Sequence, residues 1–262
     1  MPRTKRFVAV SSAQTLSSTL QLDSAACSSA ALEFAHTLFA PMHYTAGYAY
    51  PLIVWLHGRG NDERQLQRVM PLISMRNFVA VAPRGLRVSV SDQPEKEGFG
   101  WQQADDHIAQ AEQRVFEAVE MAGRKLHIAP RRVFLVGFDC GGTMAFRLAM
   151  NHPERFAGVV SIDGPFPSGR TPFGKLVSAR RLGVFLITGR GSREYPADEV
   201  CENLRLFHAA GLSVTLRQYP GGHKLTPQML ADVNRWIIDQ ITPPPSQTAE
   251  SSDDCLADDC FG

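Results

Sequence analysis

The chain has 262 residues, 44% hydrophobic and 20% charged, with a formal net charge of +1. That is enough for one large α/β domain with a substantial core, and it gives no global pull toward nucleic acid or a membrane surface. The five cysteines (Cys27, Cys140, Cys201, Cys255, Cys260) are odd in number and irregularly spaced, which argues against a disulfide framework and fits a reducing, cytoplasmic compartment.

No apolar run reaches the roughly 20 residues a membrane helix needs. The stretch after Arg3, Lys5 and Arg6 is broken by serines and does not read as a signal peptide. Residues 1–34, rich in Ser and Ala, read as a poorly ordered arm or a loosely packed first strand. A domain is expected over 35–242. It begins with the buried strand Leu52-Ile53-Val54-Trp55-Leu56. Asp62 and Gln65 resemble a capping box opening a short helix, and Phe78-Val79-Ala80-Val81 is the next strand. Ile108, Ala111, Val115, Val119 and Ala122 share one face of a long helix that Gly123 can end. Val133-Phe134-Leu135-Val136 is a strand running into a glycine, and a helix follows over 144–150.

Further buried strands are expected at 157–161 and 184–187. Val200, Leu204 and Phe207 mark a helix stopping near Gly211, and 214–219 is the last strand. Thr226 caps a final helix with Pro227 at its first position and Leu230, Val233 and Ile237 facing the core. Pro243, Pro244 and Pro245 stop it, and 243–262 reads as a disordered acidic tail. Strands alternating with helices imply a mainly parallel sheet covered on both faces. Ligand sites in such folds lie past the carboxyl ends of the strands, here after Leu56, Val136, Ile187 and Tyr219.

At those exits stand His57-Gly58-Arg59-Gly60, Gly137-Phe138-Asp139-Cys140-Gly141-Gly142, Gly189-Arg190-Gly191-Ser192 with Pro196 beyond, and Gly221-Gly222-His223. The set resembles the phospholipase/carboxylesterase family of α/β-hydrolases, which includes the acyl-protein thioesterases, over about residues 36–240. The resemblance implies an α/β-hydrolase fold, a small-molecule ester or thioester substrate and no cofactor. It also implies a nucleophile at 139, an acid at 192, a base at His223, and an oxyanion hole from the backbone N–H groups of Arg59 and Cys140. The segment between Ser161 and Arg181 has only loop length, so no cap domain is expected.

Two positions depart from the family pattern: Asp139 replaces the expected serine and Ser192 the expected aspartate. A carboxylate attacking an ester gives an anhydride, a poor intermediate. Carboxylate nucleophiles suit displacement at saturated carbon, as in haloalkane dehalogenases and epoxide hydrolases of this fold, which carry caps. An ionised Asp139 also repels the oxyanion that the hole should stabilise. The expected function is thus a carboxylesterase/thioesterase-like hydrolase with an altered triad and weak or lost activity. The alternative is an inactive hydrolase fold that binds a small molecule or a protein. Exchanging both residues back, Asp139→Ser with Ser192→Asp, is expected to create esterase activity in a relic site.

Other readings stay open. Asp139 is either an N-cap of the following helix or a displacement nucleophile. His223 is a catalytic base or a half-buried histidine bonded to Asp139, with Glu194 or Asp198 available to reach back as its acid. Cys140 at a helix N-terminus is a possible partner of His223, and Ser192 a swapped nucleophile. His57 is expected to tie down its loop. Trp101 either lines the pocket or anchors a surface loop. No metal-ligand spacing and no phosphate-binding glycine loop occurs.

Overall fold

Side chains alternate across a strand, so β2 (Tyr50–Leu56), buried along its whole length, serves two cores at once. Leu52, Val54 and Leu56 join one apolar cluster, and Ile53 and Trp55 the other. A strand buried on both faces needs helices above and below it. The computed structural model, which describes residues 35–90, 93–167, 169 and 174–242, has that arrangement. The expected arm (1–34) and acidic tail (243–262) lie outside the described residues.

Besides β2, the main sheet contains β1 (His36–Phe39), β3 (Val79–Pro83), β6 (Ile128–Phe138), β7 (Gly158–Ile162), β8 (Gly183–Gly189) and β9 (Val214–Tyr219). Its order is β1-β3-β2-β6-β7-β8-β9. Only β1 is antiparallel to its neighbour. The helices are α1 (Gln65–Ile73), α2 (Asp105–Lys125), α3 (Cys140–Asn151), α4 (Leu176–Ala179), α5 (Ala197–Ala210) and α6 (Pro227–Ile241). Helices α1 and α6 cover the face of Ile53 and Trp55, while α2, α3 and α5 cover the other. This is the α/β-hydrolase architecture. The stretch 163–182, where a cap would insert, holds only the four-residue α4 among its described residues.

Several expectations are met by local chemistry. Gly211 ends α5 in the left-handed conformation (φ 73°), and the Thr226 side chain accepts from Met229 N–H at the start of α6, with Pro227 following. Others are corrected. Helix α2 runs through Gly123 to Lys125, because a single glycine costs only about 1 kcal/mol within a helix held by a buried face. The expected capping box does not form: α1 begins at Gln65 with Arg64 before it and no side-chain cap. Asp62 accepts from Arg64 N–H at 3.0 Å, but the Gln65 side chain is buried and accepts from Trp55 Nε1 at 2.8 Å. A hairpin of β4 (Leu86–Val90) and β5 (Gln93–Gly100) forms a second, two-stranded sheet that was not expected, although Leu86-Arg87-Val88-Ser89-Val90 alternates apolar and polar residues.

Strand β2 has β3 on one side and β6 on the other, and Leu56 is level with Gly137. The loop leaving β2 and the turn leaving β6 therefore meet at the point where the chain's winding changes direction, the usual place for a site in an open α/β sheet.

Candidate active site

The turn after β6 is built by exclusion. A Cβ on Gly137 would collide with the carbonyl of Gly141, and one on Gly141 with the carbonyl of Leu56. Between these glycines Asp139 sits at φ 55°, ψ −130°, a region L-residues occupy at a cost of about 1–3 kcal/mol and mostly at functional sites. Its N–H donates to Ile162 O at 2.9 Å, pinning the turn to the exit of β7.

The Asp139 side chain makes no capping hydrogen bond to α3. That overturns the N-cap reading, because the strained backbone aims the carboxylate away from the helix. Oδ2 accepts from Arg59 N–H at 2.9 Å, while Oδ1 lies 3.8 Å from His223 Nε2. Arg59 N–H is the group expected to line an oxyanion hole, and a carboxylate oxygen occupies it. Cys140 is the first residue of α3, so its N–H lacks an intrahelical partner. Its thiol is pushed up to about 12, chiefly by burial and then by the charge of Asp139. This leaves it a protonated thiol rather than a reactive thiolate, and the Cys140–His223 pairing has no support.

The His223 ring stacks on Phe138, centroids 4.9 Å apart, with Nδ1 3.9 Å from Oδ2 of Asp163. Sequence reasoning did not single out Asp163. It leaves β7 at φ 48°, its N–H donating to Ile187 O at 2.8 Å and its Oδ1 accepting from Gly189 N–H at 2.8 Å. The side chain is fully buried. Burial raises its pKa, and the Gly189 N–H, the His223 charge and the hydroxyls of Thr188 and Ser192 offset part of the rise. Asp163 Oδ2 and His223 Nδ1 are buried without a hydrogen-bond partner; they face each other just beyond hydrogen-bonding range. The imidazole thus stands between two carboxylates. A sequence signal existed: an Asp-Gly pair directly after the buried run Val159-Val160-Ser161-Ile162, at an exit left unsearched.

Ser192 is 5% exposed, accepts from Tyr195 N–H at 3.3 Å and lies beside Asp163. It does not line the cleft above Asp139, so the swapped-nucleophile arrangement is not formed. Glu194 lines that cleft and Asp198 sits in the first turn of α5; the carboxylate facing His223 Nδ1 is Asp163. His57 is fully buried. Gly85 N–H donates to its Nε2 at 2.9 Å, so Nδ1 carries the proton shared with Gly58 O at 2.9 Å. Burial lowers its pKa, leaving it a neutral brace. Trp101, 3% exposed, donates from Nε1 to His57 O at 3.0 Å and is among the residues that line the cleft.

The cleft has a volume of about 410 Å³ and is lined by Arg59, Trp101, Gln103, Asp139, Phe166 and Glu194, among others. A more apolar cavity of about 500 Å³, bordered by Phe116, Ile128, Val133 and Phe156, lies at the other end of β6 and contains no paired nucleophile and base. Among the described residues, no group of three His, Cys, Asp or Glu is arranged to hold a metal, and no helix is long and apolar enough to cross a membrane.

The glycine-framed turn, the H-G loop beside it and the histidine after β9 match a known pattern, and the phospholipase/carboxylesterase model aligns with residues 44–241. The chain belongs to the phospholipase/carboxylesterase family. It is 34% identical over 122 residues to the putative esterase NocK of Nocardia uniformis subsp. tsuyamanensis, covering 45% of this chain and 34% of that protein. It is 32% identical over 133 residues to epoxide hydrolase B of Mycobacterium tuberculosis, covering 48% and 33%. The matched part spans about a third of each relative. In fold it resembles the Bacillus cereus carboxylesterase, with a TM-score of 0.62, 16% identity, and coverage of 78% of this chain and 93% of that one. This family member therefore has a carboxylesterase-like hydrolase fold, with Asp139 at the glycine-framed turn after β6.

Proposed function

We propose that this family member hydrolyses its substrate by carboxylate displacement at a saturated carbon, with Asp139 as nucleophile, His223 as base and Asp163 as the acid that orients it. The observation that carries the reading is the division of labour within one carboxylate: Oδ2 on the Arg59 N–H and Oδ1 toward His223. Oδ1 attacks the carbon, the bond to the leaving atom breaks with its electron pair, and an alkyl ester of Asp139 forms. His223 Nε2 then takes a proton from water as the water oxygen adds to Cγ of that ester. The negative charge develops on Oδ2, already held by the Arg59 N–H. Collapse releases the alcohol, which receives the proton from His223. The same carboxylate leaves no room in the hole for an ester substrate's own oxygen, so direct ester or thioester hydrolysis is weak. The short match to epoxide hydrolase B supports carboxylate displacement, and the leaving atom is a halide, which departs as the anion.

His223→Gln tests this. The variant retains the displacement step and lacks the base, so incubation with a neutral primary alkyl bromide should add one alkyl mass per chain, mapping to Asp139. No adduct, or an adduct on Cys140 instead, would sink the proposal.

A further inference from the structure

The apolar cavity at the far end of β6 holds no group that the displacement chemistry uses. At about 500 Å³ it has the size of a small-molecule pocket, with walls from α2, the start of β6 and the turn before β7. Phe116 and Phe156, both in its wall, stack with ring centroids 6.2 Å apart. Gly123 keeps the space open. It lies in the last turn of α2, on the helix stripe that carries Phe116 and Val119 into the cavity wall. Glycine is a poor helix former, and packing does not demand it here: a Cβ would meet nothing within 4 Å, and its φ is not positive.

Arg155 supplies a cation at the same wall. Its Cζ stands 4.8 Å from the centroid of the Phe116 ring, a contact that leaves the N–H edge of a guanidinium able to donate. Nearby carboxylates are engaged elsewhere: Glu154 with Lys175 at 3.3 Å, Glu112 with His152 at 2.8 Å and Glu120 with Arg124 at 3.4 Å. Among the described residues Arg155 has no carboxylate partner, and no described lining residue is acidic. The wall segment 126–130 is bounded in sequence by Arg124 and Lys125 before it and Arg131 and Arg132 after it, all exposed. The local field therefore favours an anion.

We infer that this cavity is a second, non-catalytic binding site for a single-chain carboxylate amphiphile. The apolar chain lies against Phe116 and Phe156 and over Gly123, and the carboxylate meets the guanidinium edge of Arg155. A purely apolar ligand would leave that cation without a partner, and a small anion would leave the apolar wall in water. The planar fork of arginine matches a carboxylate with two parallel N–H···O bonds. The active-site cleft, with Asp139, Glu194 and Glu199 in its wall, repels the same head group.

The test uses binding at a separate site, so it is independent of the displacement chemistry. Ligand-observed NMR titration of the full chain compares octanoate with octanol, which lacks the charge, and acetate, which lacks the chain. The expected wild-type dissociation constant for octanoate is at least about 10-fold lower than for either, the worth of one charge-assisted hydrogen bond. Arg155→Gln, a change at an exposed position, should remove the preference over octanol. Gly123→Leu should abolish octanoate binding while melting no lower than wild type, because leucine is the better helix former. If the leucine variant fails to fold, Arg155→Gln decides alone. Absence of octanoate binding in wild type, equal affinity for octanoate and octanol, a preference that survives Arg155→Gln, or unchanged octanoate binding in a folded Gly123→Leu chain overturns the inference. So does a wild-type chain that ignores free octanoate and instead sediments with phosphatidylserine vesicles, or self-associates in a way that Gly123→Leu disrupts.

Discussion

Strands β7 and β8 lie side by side, Ile162 level with Ile187, and their exits deliver opposite chemistry. The β8 exit is where the phospholipase/carboxylesterase pattern places the acid; here it carries Ser192, buried and bonded to Tyr195 N–H. The β7 exit carries Asp163, whose carboxylate faces the inner nitrogen of His223. The two residues share one polar pocket, with Gly189 N–H donating into it. The need is for one negative charge at one place beside the imidazole, and either of two adjacent strands can supply it. A second carboxylate in the same buried pocket would raise both pKa values, which gives a physical reason for a hydroxyl at 192 when an aspartate stands at 163.

The largest effect that separates these exits comes upstream of both. Asp139→Asn should lower turnover of a neutral alkyl bromide by about 10⁴-fold or more, as loss of a nucleophile does elsewhere, measured as halide release. Next is Asp163→Asn. By analogy with loss of an orienting aspartate, steady-state kcat should fall by about 10⁴-fold. Because alkylation does not need the base, one equivalent of halide should still appear in a burst before turnover stalls; a missing burst would place Asp163 in the first step instead.

That same variant has a stability signature. Burial raises the Asp163 pKa in the folded chain above its unfolded value. The folded state therefore holds this proton more tightly, and stability falls as pH rises from the unfolded carboxylate range through the folded value. Asparagine removes that loss while retaining an oxygen for Gly189 N–H. Asp163→Asn should thus melt higher than wild type at pH 8, with the gain disappearing in acid; a lower melting temperature at pH 8 would contradict the electrostatic account.

Asp139→Ser alone should open the oxyanion hole and raise p-nitrophenyl ester hydrolysis about 10²-fold over wild type, the usual worth of a hole donor. If Asp163 is the acid, as proposed, adding Ser192→Asp should give no further gain. A requirement for both changes would return the acid role to the β8 exit. The smallest effect is expected for Ser192→Ala. Loss of one hydrogen bond, about 0.5–1.5 kcal/mol, should alter kcat by less than about tenfold, far less than the change at Asp163.

Much of this was legible in the chain. Periodicity located α2, α5 and α6, and the glycines of Gly137-Phe138-Asp139-Cys140-Gly141 marked the turn, because close backbone approach leaves no room for a Cβ there. What escaped depends on direction rather than identity. Asp139 precedes a helix and reads as a cap; only its backbone angles show that the carboxylate points the other way. Asp163 escaped because the acid was sought where the family keeps it, at the exit of β8, and not at the exit of the strand beside it. The β4–β5 hairpin was missed because Gln93-Pro94-Glu95-Lys96-Glu97 has no apolar alternation.

The most direct test of the central claim is a single turnover of excess enzyme on a neutral alkyl bromide in H₂¹⁸O. If Asp139 is the nucleophile, the alcohol leaves with an unlabelled oxygen from the carboxylate, and ¹⁸O appears in the peptide containing Asp139. Labelled alcohol with an unlabelled Asp139 peptide, or no reaction at all, would contradict the account.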